Sequence, residues 1–169
     1  LPSSTKTVYS QDFGNLNTNT NASGIRPLGL FSQEGGSQLL YKNTSGTTDG
    51  NYSLTTNPNN VDDFPSALNQ WVHTKDHTTL NNANDHGLMA VFNPSATDTN
   101  SYIYQTPAIN VSPGAGIDVS LWLLNLKSIA SGSGYANPNL TISIVDVATQ
   151  TILGTSTTGE FIKTDKWEN

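Results

Sequence analysis

Short segments that alternate between apolar and polar residues, separated by turn residues, most limit how this chain can fold. Leu140–Val147 (LTISIVDV) alternates throughout, and Gly116–Leu126 (GIDVSLWLLNL) alternates before becoming almost continuously apolar. A period of two is typical of β-strands, and the mixed pattern of Gly116–Leu126 predicts a central strand covered in part on both faces. No stretch combines the helical period with capping residues, so the sequence predicts an all-β protein.

Further strands are expected where β-branched and aromatic residues lie between turn signals. They are predicted at Thr7–Phe13, Gln38–Tyr41, Asn51–Thr56, Leu88–Phe92, Ser101–Thr106 and Thr151–Ser156. The turn Ala148–Gln150 should join the last of these to Leu140–Val147 as a hairpin. About eight to ten short strands in one domain, residues 1–169, predict a jelly-roll β-sandwich of two antiparallel sheets.

The composition excludes several classes of partner. With seven Lys and Arg against 13 Asp and Glu, the chain has a net charge of −6, which argues against nucleic acid and anionic membrane surfaces. It has no cysteine, so disulfides and thiolate chemistry are impossible. No apolar run reaches the roughly 18 residues of a membrane span, so membrane insertion is not expected.

The window Trp71–Asn93 (WVHTKDHTTLNNANDHGLMAVFN) holds all three histidines of the chain and is the first place to look for a site. His73 and His77 have a spacing found in zinc sites, with Asp76, Asp85 and His86 as further donors. On a strand, however, these two histidines would lie ~13 Å apart, and spacing alone places no third ligand. The favoured interpretation is that Asp76 and His77 cap turns and bond the backbone.

The sequence supports a catalytic site less well than a ligand-binding site. Asp62, Asp63, Asp76 and Asp85 supply the right residue type for paired-carboxylate hydrolysis, but nothing sets their separation. The sequence has no nucleophile elbow, phosphate-binding loop or metalloprotease motif. We therefore expect a protein that is not an enzyme, with a metal-dependent hydrolase as the minor alternative.

Aromatic and amide side chains suit sugar binding, because aromatic faces stack on sugar rings while amides bind hydroxyl groups. Trp122 lies in an apolar run and is expected in the core. Tyr102 and Tyr104 share one face of a predicted strand, and Tyr135, in a Gly/Ser loop, is expected to be exposed. The candidate ligand-binding residues are Trp71, His73, Asp76, His77 and Tyr135.

Several fragments, in consistent order and spacing, resemble a family of extracellular jelly-roll domains. These domains occur in large bacterial surface and gliding-motility-associated proteins and in repeat-rich adhesins. The resemblance is carried mainly by WVHTKDHT (Trp71–Thr78) followed by GLMAVFN (Gly87–Asn93). The supporting fragments are Asp12–Gly14, Asp49–Thr56, Tyr102–Thr106, Val119–Leu126, Pro138–Ile144, Ile152–Gly159 and the final KWEN.

The resemblance implies a jelly roll of the carbohydrate-binding-module type, often with a structural calcium. An acidic residue at the end of the first strand, here Asp12, can be a calcium ligand in such domains. The family usually has an aspartate directly before the Asn-Gly that opens the later strand. Here the order is Asn84-Asp85-His86-Gly87, so Asp85 is the candidate equivalent. Asp12 and Asp85 are thus the candidate calcium ligands.

The resemblance also implies a secreted or cell-surface module for adhesion, with a glycan or a host or neighbour-cell surface as its partner. Family members continue for two strands after the position of Trp167, so the last strands of the sandwich are expected to be missing. A sandwich without them exposes a sheet edge. The alternative function is therefore a spacer or assembly subunit that pairs with other copies or domains and is completed by another chain's strand.

Overall fold

The structure, a computed structural model, describes residues 5–14, 24–62, 71–80, 87–95, 101–126, 137–162 and 166–169. Within these ranges lie five strands: β1 (Leu40–Tyr41), β2 (Asn51–Thr55), β3 (Met89–Asn93), β4 (Asn139–Val145) and β5 (Ile152–Glu160). The described helical segments are two 3₁₀ turns, Pro58–Val61 and His77–Thr79. The described residues are thus all-β in character, and none of their helices is long and apolar enough to cross a membrane.

Strands β1, β2 and β3 form one sheet in that order. β1 runs parallel to β2, and β3 runs antiparallel to it, with Leu54 opposite Ala90. The prediction of two purely antiparallel sheets is therefore wrong for this sheet. In the turn that precedes β2, Gly46 and Gly50 have left-handed φ angles of 83° and 81°. A turn signal predicts a change of direction, but it does not predict which neighbour the next strand will join.

An apolar cluster covers each face of this three-stranded sheet. On one face Ile25 and Val61 join Met89 and Val91, and on the other Leu39 joins Tyr52 and Leu54. Because both faces are covered, β2 is buried from Tyr52 to Thr55. The alternation of Asn51–Thr56 would suit a strand with one solvent-facing side, but here both sides of β2 are covered.

The buried hydroxyl groups of β2 have hydrogen-bond partners. Ser53 Oγ lies 2.7 Å from Thr47 Oγ1 and donates to the carbonyl of Lys42 at 2.8 Å. These bonds offset the cost of removing polar atoms from water, so a central strand can carry Ser and Thr on one face.

Strands β4 and β5 form the predicted hairpin as a separate two-stranded antiparallel sheet. Its turn is stabilised by the Asp146 carboxylate, which accepts the backbone N–H groups of Ala148 at 2.8 Å and Thr149 at 3.1 Å. At the hairpin base, the side-chain amide of Asn125 donates to the carbonyl of Phe161 at 3.1 Å. Asn125 therefore connects the hairpin to the segment that precedes it.

The strongest predicted strand, Gly116–Leu126, does not form a covered central strand. Its one described ladder contact is an isolated antiparallel bridge between Leu123 and Glu168, with N–O distances of 2.8 and 2.9 Å. Ile117 and Val119 are 41% and 54% exposed. Alternation identifies the residues of a strand that are able to face a core. The side chains that pack over that face must come from distant parts of the chain.

Two other predicted strands are also irregular. In Thr7–Phe13 the Tyr9 hydroxyl donates to the Glu34 carbonyl at 2.8 Å, in place of a backbone ladder. In Ser101–Thr106 the described pairing is one isolated bridge, between Gln105 and Gly36. Side-chain hydrogen bonds and single bridges hold these segments in place.

Candidate functional site

Residues 71–80 form a connection that is fixed to the rest of the fold at its start. The backbone N–H of Trp71 donates to Asp62 Oδ2 at 3.1 Å, and the N–H of Val72 donates to the Leu126 carbonyl at 2.9 Å. The Trp71 side chain packs against the apolar cluster that contains Ile25. Trp71, predicted as a ligand-binding residue, thus packs on the core here.

Asp76 organises the middle of this connection. Its side chain is buried, caps the 3₁₀ turn His77–Thr79, and accepts the N–H of Thr78 at 3.0 Å and the Thr78 hydroxyl. This is the turn-capping role expected for Asp76. The cap satisfies a backbone donor at the start of the turn that carries His77.

His77 is part of an aromatic cluster with Trp122 and Trp167. The His77 and Trp122 rings are stacked, with centroids 3.7 Å apart and planes 17° from parallel, and Trp167 meets His77 edge-on at 6.2 Å. The indole N–H of Trp167 donates to the carbonyl of Lys75 at 3.0 Å. Three distant parts of the sequence therefore meet at this cluster.

Trp122 is 47% exposed, so its assignment to the core was wrong. Parity in the alternation does not predict this placement, because Leu124 shares the parity of Trp122 while Ile117 and Val119, on the other parity, are also exposed.

A shallow, open depression of about 430 Å³ lies beside the same connection and is called here the polar cleft, after the side chains that line it. Its lining residues carry hydroxyl, amide, imidazole and ammonium groups and are Thr56, Asn57, Asn60, His73, Thr74 and Lys75. His73 and Lys75 are exposed at its surface. Lys75 connects the cleft to the aromatic cluster, because it lines the cleft and its carbonyl accepts the indole N–H of Trp167.

The described residues hold no group of three or more His, Asp or Glu side chains able to bind one metal ion. His73 lines the cleft and His77 stacks on Trp122. Asp12 is exposed and its carboxylate accepts the N–H of Gly14 at 2.9 Å, which orders a turn. Asp85, His86 and Tyr135 lie outside the described residues, and calcium at Asp12 and Asp85 stays a prediction from the resemblance.

Tyr102 and Tyr104, which share one face of a predicted strand, have different roles. Tyr102 is 42% exposed, whereas the Tyr104 hydroxyl bonds the Glu34 carbonyl and lies 2.6 Å from the Tyr9 hydroxyl. Burial, together with the hydrogen bond to Tyr9, raises the pKa of Tyr104 above its ordinary value. Tyr104 therefore connects the segment Thr7–Phe13 to the rest of the fold.

No protein-family model, curated protein or solved structure matches this chain. Beside residues 71–80, the described features with ligand-binding chemistry are the aromatic cluster of His77, Trp122 and Trp167 and the polar cleft beside Lys75.

Proposed function

We propose that this chain is a non-catalytic module of a bacterial cell-surface protein that binds glycans in adhesion. The observation that carries the proposal is the exposed indole of Trp122, supported from below by the parallel ring of His77. Aromatic side chains offer large, rigid apolar surfaces with few rotatable bonds. An exposed indole held in one orientation is suited to stacking on the apolar face of a sugar ring.

The neighbouring polar cleft supplies the second half of a sugar site. The hydroxyl of Thr56 and the amides of Asn57 and Asn60 line it and can both donate and accept hydrogen bonds. A sugar presents the same mixture of donors and acceptors around its ring. Stacking near Trp122 combined with hydrogen bonding in the cleft fits an oligosaccharide of more than one unit better than a single sugar.

The finer fold belongs to the same proposal. A jelly-roll sandwich and a structural calcium at Asp12 and Asp85 are what the family resemblance implies. The all-β character and the two small sheets of the described residues support this fold. The calcium would stabilise the turn at Asp12 and would leave binding to the aromatic cluster.

A glycan array tests the proposal with the wild-type chain, Trp122→Ala and Leu28→Ala. Leu28 is 60% exposed and is a matched control for losing a large exposed apolar side chain. We expect the wild type and Leu28→Ala to share the same glycans and Trp122→Ala to lose them. A silent array, or hits that Trp122→Ala retains, would contradict the proposal.

A second candidate function is an assembly subunit or spacer that pairs with another strand. It is favoured by the exposed apolar residues around the β4–β5 hairpin, since Ile152 and Leu153 are 59% and 66% exposed. β4 contains no charged residue, so its sequence lacks the charges that usually protect a strand edge. Sedimentation measurements on the wild type and Ser143→Lys test it. This candidate predicts an oligomer that the lysine weakens, and a monomer at every concentration would contradict it.

A further inference from the structure

We propose that a shallow, open depression beside Tyr102 is a second sugar site, which binds one neutral monosaccharide unit. The depression measures about 200 Å³ and is lined by residues of two segments, 32–36 and 102–107. Its lining shares no residue with the polar cleft or with the aromatic cluster around Trp122. The inference rests on the proposed glycan-binding function and adds to it a separate site made of other residues.

The depression presents an aromatic ring to solvent. Tyr102 lines it and is 42% exposed, and the ring of Pro107 is a second apolar surface in the lining. A tyrosine ring is a large, rigid apolar surface with few rotatable bonds. Such a ring at the side of a depression is suited to packing against the C–H face of a sugar.

Polar groups that can bind sugar hydroxyls lie in the same depression. Gln105 and Ser32 line it and are exposed. Within the part of the chain that the structure describes, the side chains of Gln105, Ser32 and Tyr102 make no hydrogen bond. An amide and a hydroxyl can each donate and accept, so these groups can bind a sugar without breaking a hydrogen bond within the chain.

The backbone on both sides of the depression is fixed by hydrogen bonds. The N–H of Gly36 donates to the Gln105 carbonyl at 2.7 Å, and the N–H of Gln105 donates to the Gly36 carbonyl at 2.8 Å. The N–H of Tyr102 donates to Gln38 Oε1 at 2.9 Å. Gly35 permits this close approach, because a Cβ atom there would overlap the Gln105 carbonyl oxygen. A site whose backbone is already ordered loses less entropy when a ligand binds.

Size and charge specify the ligand class. The volume of about 200 Å³ lies below the roughly 300–1,000 Å³ of most small-molecule pockets, which favours a single ring over an oligosaccharide. None of the described lining residues is charged, so the depression provides no direct ion-pair partner for a ligand. The net charge of −6 disfavours anions in general. A neutral sugar unit fits these properties.

The test is a titration of the ¹⁵N-labelled chain with the methyl glycosides of glucose, galactose, mannose and N-acetylglucosamine, followed in a ¹H–¹⁵N correlation spectrum. The backbone amide signals of Gly36 and Gln105 report on the depression. The variants are Tyr102→Ala, Tyr102→Phe and Leu28→Ala, the last as a control for losing a large exposed apolar side chain. Their spectra without sugar also show whether each variant is folded.

We expect at least one glycoside to shift the Gly36 and Gln105 signals saturably. Tyr102→Ala should weaken this binding about two- to tenfold, the range that an aromatic contact contributes. Tyr102→Phe, which keeps the ring, should retain most of the affinity, and Leu28→Ala all of it. The absence of any saturable shift, or full affinity in Tyr102→Ala, overturns the inference. The site at Trp122 is tested separately by the array, so either proposal can fail while the other stands.

Discussion

The imidazole of His77 lies parallel to the indole of Trp122, with centroids 3.7 Å apart. His77→Ala removes this stacking contact and should lower the free energy of unfolding by about 0.5–1.5 kcal/mol, which is the usual contribution of an aromatic pair to stability. It should also change the near-ultraviolet circular dichroism of tryptophan. His73→Ala is the matched control, because His73 is exposed and lines the cleft. An unchanged tryptophan spectrum in His77→Ala would contradict the stacked arrangement.

The Asp76 cap should contribute to stability. Asp76→Ala removes the acceptor for the Thr78 N–H, and loss of such a cap costs about 1 kcal/mol of unfolding free energy. Asp76→Asn keeps one acceptor oxygen and should recover most of this loss. Urea denaturation of the two variants measures the difference. If both variants were as stable as the wild type, the cap would have no energetic role.

Alkaline pH should destabilise the fold through Tyr41. Burial raises the pKa of Tyr41 from its ordinary value of 10.0 to about 12, and its hydroxyl donates to the Arg26 carbonyl. The unfolded chain therefore loses this proton first, so the stabilisation is complete below the unfolded pKa and is lost as pH rises from 10.0 towards 12. Unfolding by urea at about pH 9 and about pH 11 measures this slope. Tyr41→Phe should show a smaller fall, and equal falls in the two proteins would contradict the assignment.

The calcium prediction is tested by thermal unfolding in excess calcium and in chelator. A ligand at 100 times its dissociation constant stabilises the native state by about 2.7 kcal/mol, which corresponds to several degrees in midpoint for a chain of this length. We expect the wild type to show this rise and Asp12→Asn to lose it. Identical unfolding midpoints in calcium and in chelator would contradict the prediction that the chain binds calcium.

Local pattern was enough to predict the parts of the fold that depend on neighbouring residues. β2, β3 and the β4–β5 hairpin form close to their predicted positions. The hairpin has a turn signal and two alternating segments next to each other in sequence, so both the strands and their pairing are local information.

The failures concern contacts between distant residues. Gly116–Leu126 has the alternation of a strand, but its described pairing is the single bridge of Leu123 with Glu168. The apolar neighbours of Trp122 predict a core position, whereas Trp122 is exposed and stacks on His77, far away in sequence. Side-chain alternation gives the two faces of a segment, and only the tertiary structure determines which face is covered.

The central claim, that glycans bind at the aromatic cluster, is tested most directly by the indole N–H signals in a ¹H–¹⁵N correlation spectrum. The chain has three tryptophans, so the spectrum should contain three such signals. On titration with a glycan identified on the array, we predict that the signal of the exposed Trp122 shifts and that the signal of Trp71, packed on the core, stays in place. Saturable binding that leaves Trp122 unshifted would contradict the claim and place the glycan elsewhere on the chain.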